Sequence, residues 1–144
     1  MSAIALVNLV SVEKLDRYLK TGGDWKAVLA DSEELSYRWS GYVFATLVPY
    51  LDAQGIALSD PREEPLSAER EMSCFVLTTA HRHYLDRLAP ERFDGRALRA
   101  YFEEFNETTA EGIERAMLAG IELIRDALTR VNDDTVCVIA IDGI

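Results

Sequence analysis

The sequence predicts a mostly α-helical α+β domain, a compact bundle of about five helices around a central kinked helix at residues 33–54, with paired terminal strands. Residues 33–54 carry apolar side chains at three- and four-residue spacing, which is typical of one helical face. Residues 135–141 include six consecutive apolar residues, a pattern typical of a short strand covered on both faces. A lone strand cannot satisfy its own backbone, and the branched apolar residues 4–10 are the best partner within the chain.

The central helix is predicted from its nearly uniform hydrophobicity. Between residues 42 and 51 almost the whole circumference is apolar, which is typical of a helix covered by neighbours on several sides. Asp31 precedes Glu34 by three residues, as in a capping box, and Gly55 is well placed to end the helix. Pro49 removes a backbone donor within the last turns, so we expect a kink there.

Amphipathic stripes and capping residues predict the other helices in order along the chain. Ser11, Asp24 and Asp94 can each accept a hydrogen bond from the first turn of the segment that follows. Thr108 and Glu111 have the spacing of a capping box, which predicts a long final helix. The expected segments are 12–20, 24–29, 67–88, 94–105 and 108–131.

Length and composition indicate one globular domain, residues 1–144. A chain of 144 residues can bury roughly two-thirds of its unfolded surface, and 49% hydrophobic residues are ordinary for a globular protein. The N-terminus lacks the basic region of a signal peptide, and the longest uncharged run, 39–51, is too short to span a bilayer. Cys74 and Cys137 show no CxxC spacing, so we expect buried thiols and a cytoplasmic location.

The charge balance narrows the classes of partner. The net charge is -10 and the isoelectric point is near 4.6. Nucleic-acid-binding domains usually carry a basic surface, because the neutralisation of phosphates supplies much of their affinity. Proteins that bind anionic membranes usually carry a basic surface as well. We therefore expect no nucleic acid and no membrane. An acidic surface favours solubility and steers association with a basic protein partner.

No motif with recognisable chemistry is present, and we expect neither a metal nor a cofactor. His81 and His83 are the two histidines, and on a helix they point about 200° apart, too far to chelate one ion. Cys74 lies about 10 Å from His81 along such a helix, beyond hydrogen-bonding distance. Catalysis is therefore unsupported, although catalytic pairs assembled from distant segments leave no linear pattern.

Negative charge is concentrated in residues 100–114, which contain five glutamates and no lysine or arginine. One interpretation is a solvated surface, with Arg99 and Glu103 paired at i,i+4 spacing. The other is an acidic surface that presents Tyr101, Phe102 or Phe105 to a basic partner, since interface centres favour aromatics. The protein is then an acidic helical protein-binding module, an inhibitor or immunity-type protein that covers a basic partner. The expected partner-binding residues are Tyr101, Glu103, Glu104, Glu107, Glu111 and Glu114.

The alternative function is small-molecule binding or catalysis in a pocket between the central helix and the predicted helix at 67–88. Arg38 is the single cation among the aromatic residues Tyr37, Trp39 and Tyr42. A cation so placed needs a carboxylate or a ligand anion. The expected lining residues are Tyr37, Arg38, Trp39, His81 and Tyr84.

The C-terminal strand also predicts a mode of self-association. If this strand lies at an edge of its sheet, its free backbone groups can pair with a second copy of the chain. The result would be a homodimer formed by strand addition.

Overall fold

The computed structural model describes residues 3–143 and shows a four-stranded antiparallel sheet packed between two layers of helices. The protein is a mostly helical α+β domain, as predicted. The strands are β1 (Ile4–Ser11), β2 (Glu33–Leu35), β3 (Ser73–Leu77) and β4 (Thr135–Asp142). The helices are α1 (Val12–Thr21), α2 (Trp25–Leu29), α3 (Tyr42–Ala53), α4 (Glu63–Arg70), α5 (Gly95–Asn106) and α6 (Ile113–Arg130), with 3₁₀ helices at Thr79–Leu88 and Pro90–Arg92.

The two terminal strands pair, as the sequence predicts, and form the middle of the sheet. β1 and β4 run antiparallel over their whole length, from Ile4 opposite Asp142 to Ser11 opposite Thr135. β2 joins the other side of β1 and β3 joins the other side of β4, which gives the order β2-β1-β4-β3. β4 therefore has no free edge in this sheet. The premise of a homodimer through the C-terminal strand is wrong, because both sides of that strand are already paired.

β4 separates two hydrophobic cores, which explains its uninterrupted apolar run. Val136, Val138 and Ala140 face the smaller core, which α1, α2 and α4 complete. Cys137 and Ile139 face the larger core, which is built with α3, α5 and α6. No side chain of residues 136–141 is more than 7% exposed. The prediction of a strand covered on both faces is confirmed. The two cysteines, Cys74 and Cys137, are free thiols and are buried.

The central helix is shorter than predicted, because its first part forms a strand and a loop. Residues 33–35 are β2, and their backbone pairs with residues 7–9 of β1. Asp31 has φ 65°, a left-handed conformation, and therefore does not cap a helix. α3 begins only after Gly41, where a Cβ would lie 2.8 Å from Ile141 Cγ2. The missing side chain lets the chain approach the sheet before the helix starts.

The remaining part of the predicted helix lies in the larger core. Phe44, Leu47 and Leu51 are completely buried. α6 crosses α3 closely at Gly120, where a Cβ would lie 3.0 Å from Leu47 Cδ2. Pro49 lies inside α3, and the kink there stays a prediction.

The predicted helix at 67–88 is wrong, because this segment forms the end of α4, the strand β3 and a 3₁₀ helix. α4 ends at Glu71, whose φ of 53° is left-handed and stops helical propagation. Residues 73–77 pair with β4, and their side chains alternate between the two cores. Thr78 then caps the 3₁₀ helix Thr79–Leu88, with His81 completing a capping box.

The final helix starts later than predicted. Thr108 and Glu111 lie in the exposed loop before α6, and the first turn of α6 has no side-chain cap. α6 begins after Gly112, whose φ of 73° turns the loop into the helix.

Among residues 3–143, no helix combines the length and the apolar character needed to cross a membrane.

Candidate functional site

Three aromatic side chains form a row across α3 and α5. Tyr50 meets Tyr101 edge-on with ring centroids 5.0 Å apart, and Tyr101 stacks on Phe105 at 5.8 Å with an interplanar angle of 18°. We call these three residues the aromatic row. Phe105 at its end is 50% exposed, whereas Leu98 and Phe102 of the same helix are buried. The fold therefore leaves half of the Phe105 side chain in contact with solvent.

The helix that carries this row is fixed at both ends. Asp94 caps its first turn by accepting a hydrogen bond from the Arg96 backbone N–H at 3.1 Å. At the other end, Asn106 Nδ2 donates to Thr46 Oγ1 at 2.8 Å and to the Phe102 carbonyl at 3.0 Å. Thr46 is fully buried in α3, so this amide joins the end of α5 to the core. Phe105, directly before Asn106, is consequently held on a rigid support.

Three of the five predicted glutamates are free. Glu104, Glu107 and Glu111 are exposed and form no ion pair among residues 3–143, and we call them the glutamate trio. Glu103 pairs with Arg99 at 3.2 Å, as the solvated-surface interpretation expects. Glu114 is half-buried, and its Oε2 lies 3.2 Å from the position of a Cβ on Gly95, at the start of α5. An acid there interacts favourably with the helix dipole.

Two members of the glutamate trio, Glu104 and Glu107, lie at the same end of α5 as Phe105, and Glu111 lies in the loop that leads from there to α6. Glu104 precedes Phe105 in the helix, and Glu107 is the residue that ends it. Glu107 adopts φ 53°, a left-handed conformation that normally favours glycine or asparagine. We call the row and the trio together the aromatic–acidic face. The sequence identified Tyr101 and its glutamates, but nothing in the sequence places Tyr50 of α3 beside α5.

A second feature, which we call the groove, lies between residues 35–39 and one face of α6. Its volume is about 460 Å³, and it contains Tyr37, Arg38 and Trp39, three of the five residues predicted to line a pocket. Tyr37 donates its hydroxyl hydrogen bond to the Ala116 carbonyl at 2.9 Å, and burial raises the pKa of Tyr37 well above its ordinary value. The Arg38 guanidinium lies over the Trp39 ring, 5.6 Å from its centroid.

The other two predicted lining residues lie outside the groove. His81 is buried, and its Nδ1 accepts a hydrogen bond from the Thr78 backbone N–H at 3.0 Å. Its Nε2 therefore carries the proton and donates to the Ser59 carbonyl at 2.8 Å. Tyr84 packs against the larger core beside His83. His81 is thus a structural residue of the 3₁₀ helix, and no cluster of three or more potential metal ligands occurs in residues 3–143.

Comparison with known proteins supports the fold. No protein family model matches the sequence, and none of the curated proteins gives a match. The structure is similar to the crystal structure of YfbM from Escherichia coli, described as a protein of unknown function, with a TM-score of 0.52 and 15% sequence identity. The similarity covers 94% of this chain and 99% of that chain. It extends over the whole domain and shows a shared fold.

Proposed function

We propose that this protein is an acidic protein-binding module that covers a basic surface of its partner, as an inhibitor or immunity-type protein does. The observation that carries this proposal is the half-exposed Phe105 ring on a fixed aromatic row, with the exposed Glu104 and Glu107 at the same end of α5 and Glu111 in the loop that follows. Interfaces typically combine a central aromatic anchor with a charged rim. The aromatic–acidic face has both parts.

The aromatic row supplies the hydrophobic contribution. Phe105 is one of three large apolar side chains that are exposed among residues 3–143, together with Ile4 and Leu6. Burying the exposed half of a phenylalanine side chain removes about 100 Å² from water, which contributes at most about 2.5 kcal/mol. Because Asn106 already holds the end of α5 on the core, little conformational entropy is lost when a partner binds.

The glutamate trio supplies steering. The net charge of -10 attracts a basic partner from a distance, and exposed carboxylates around the anchor orient it.

The test compares two triple variants that change charge equally. In the first, Glu104, Glu107 and Glu111 are replaced by glutamine. In the second, the exposed glutamates Glu34, Glu64 and Glu69 are replaced in the same way. Each set removes three negative charges, so the net charge changes from -10 to -7 in both.

Affinity capture from the native host should recover a basic protein with the wild type and with the second variant. The first variant should capture far less of it. In kinetic measurements at low salt, the first variant should lose association rate much more than it gains dissociation rate, and the difference should shrink as salt rises. Equal rates for the two variants would mean that the glutamate trio is only a solvated surface.

A further inference from the structure

The groove segregates charge along α6. Arg38 and Arg115 line one part, and neither forms an ion pair within residues 3–143. Glu122 and Asp126 line the same face of α6, seven and eleven residues beyond Arg115, or about 10 and 16 Å further along the helix axis. Asp126 is already paired with Arg130 at 3.4 Å. Tyr37 is bonded to Ala116 and Trp39 packs against Gly112, so Arg38 between them lies beside the same end of α6 as Arg115. The Glu122 carboxylate, unpaired within residues 3–143, lies further along the helix.

Between these charges the groove is apolar. Leu35, Ala119 and Leu123 contribute its lining together with the Trp39 ring. The hydroxyl of Tyr37 is bonded to the backbone of α6 and so serves as an anchor for the 35–39 segment. A concave apolar lining with a few convergent polar groups is the usual anatomy of a small-molecule site, and about 460 Å³ lies within the usual range for one.

Arg38 is oriented before any ligand arrives. Its guanidinium lies over the Trp39 ring, which is itself packed against Gly112 at the start of α6. A Cβ on Gly112 would be 3.3 Å from Trp39 Cζ3. The glycine therefore lets the tryptophan ring lie close to the backbone, where a residue with a side chain would crowd it. The position over the ring is a cation–π contact, which uses none of the guanidinium N–H donors in a hydrogen bond. Those donors can bind a carboxylate through two parallel hydrogen bonds.

We propose that the groove binds a small monocarboxylate with an apolar body. The carboxylate lies between Arg38 and Arg115, and the body rests on Trp39, Leu35 and Leu123. Polyanions such as phosphates are disfavoured, because Glu122 faces the same space and the whole chain carries a charge of -10. This site shares no residue with the aromatic–acidic face, so either proposal can fail without the other.

The probe is phenylacetate, with benzyl alcohol as the same aromatic body without the charge and inorganic phosphate as the charge without the body. The protein has two tryptophans, and Trp25→Phe assigns the Trp39 indole N–H signal in NMR spectra. Phenylacetate should shift the Trp39 signal saturably at millimolar concentration, while benzyl alcohol and phosphate should shift it far less. A response to phosphate equal to that of phenylacetate, or no saturable response, would overturn the proposal.

Variants of exposed residues locate the carboxylate. Arg38→Gln and Arg115→Gln should each weaken phenylacetate binding about tenfold, which corresponds to about 1.4 kcal/mol and to the loss of one charge-assisted hydrogen-bonding partner. Arg125→Gln is the matched control, since Arg125 is exposed on α6 and does not line the groove, and it should leave the affinity unchanged. Glu122→Gln should tighten binding of phenylacetate. If Arg125→Gln weakened phenylacetate binding as much as Arg38→Gln, the loss would be explained by the change in net charge alone. That result would refute the proposed site.

A peptide end is the competing source of a carboxylate. An acetylated dipeptide that ends in phenylalanine presents the same aromatic carboxylate on a chain. The proposal expects it to bind no more tightly than phenylacetate. Binding at least tenfold tighter would assign the groove to a protein C-terminus and contradict the small-molecule proposal.

Discussion

Phe102 and Phe105 allow a matched test of the aromatic–acidic face, because they lie three positions apart on α5 in opposite environments. Phe102 is 5% exposed and belongs to the larger core, whereas Phe105 is 50% exposed. If Phe105 serves a partner, the fold should depend on it much less than on Phe102. Replacing each by alanine in turn makes the same chemical change at both sites.

The expected magnitudes follow from burial. Phe102→Ala leaves an enclosed cavity, and such changes cost about 3–5 kcal/mol of unfolding free energy. Phe105→Ala loses the stacking on Tyr101 and about half as much buried area, and the vacated space is open to solvent. We expect about 1–1.5 kcal/mol for that change.

Urea denaturation measures both values, provided that the slope of the transition is unchanged. Once a partner is in hand, Phe105→Ala should also speed its dissociation, since anchor residues act mainly on that rate. A Phe105→Ala variant as unstable as Phe102→Ala would refute the reasoning. Phe105 would then be a core residue, and its exposure would carry no argument about function.

Three further predictions concern the fold. Gly41→Ala should cost about 1–3 kcal/mol of unfolding free energy, because its Cβ would meet Ile141 and the β1 backbone. A Cβ at Gly95 meets only the side chain of Glu114, whose carboxylate can move aside, so Gly95→Ala should be tolerated in the same urea assay. Leu47→Ala should cost about 2–5 kcal/mol as a large-to-small change at a fully buried position, and an unchanged midpoint would place α3 outside the core. Burial raises the pKa of Cys137 from its ordinary 9.0 to about 12, so the folded state keeps a proton that the unfolded chain releases. The contribution of this thiol to the unfolding free energy should therefore be constant below pH 9 and should fall between pH 9 and 12. The control Cys137→Ala should show a smaller slope over this range, with the buried Tyr37 contributing to what remains.

The elements with strong local patterns could be predicted from the sequence. β4 was found because six consecutive apolar residues need cover on both faces, and β1 followed as the strand that satisfies its backbone. α1, α2 and α5 follow Ser11, Asp24 and Asp94, and in each case the predicted cap accepts a hydrogen bond from the first turn. These signals depend on neighbours within one turn or one strand.

The errors occur where long-range pairing outweighs local periodicity. In β3, Cys74 and Val76 face one core while Phe75 and Leu77 face the other. When a segment is apolar on both faces, the spacing of its apolar residues does not distinguish a strand from a buried helix. Here the segment forms a strand because its backbone pairs with the neighbouring β4. β2 has three residues and is defined entirely by its pairing with β1.

The candidate sites show the same division. The i,i+4 spacing of Tyr101 and Phe105 predicts that both lie on one side of α5, but Tyr50 joins them only through the packing of α3. Arg38 was identified from its aromatic neighbours, whereas Arg115 was missed because nothing local distinguishes it from the other exposed arginines of the chain. Arg115 lines the same groove as Arg38 only because the 35–39 segment lies along α6.

The closed edges of the sheet favour the aromatic–acidic face as the surface for association. At the β3 edge, Ser67 Oγ accepts the Cys74 backbone N–H at 3.0 Å, and Glu63 Oε2 accepts the Val76 N–H at 3.0 Å. Burial raises the pKa of Glu63, so this carboxylate is partly withdrawn from water in order to cover the edge. β2 at the opposite edge is only three residues long, and short edge strands are poor templates for a second chain. Because strand addition at β3 would require breaking both side-chain hydrogen bonds, the proposed partner gains more by burying the exposed half of Phe105, which requires no contact of the fold to be broken.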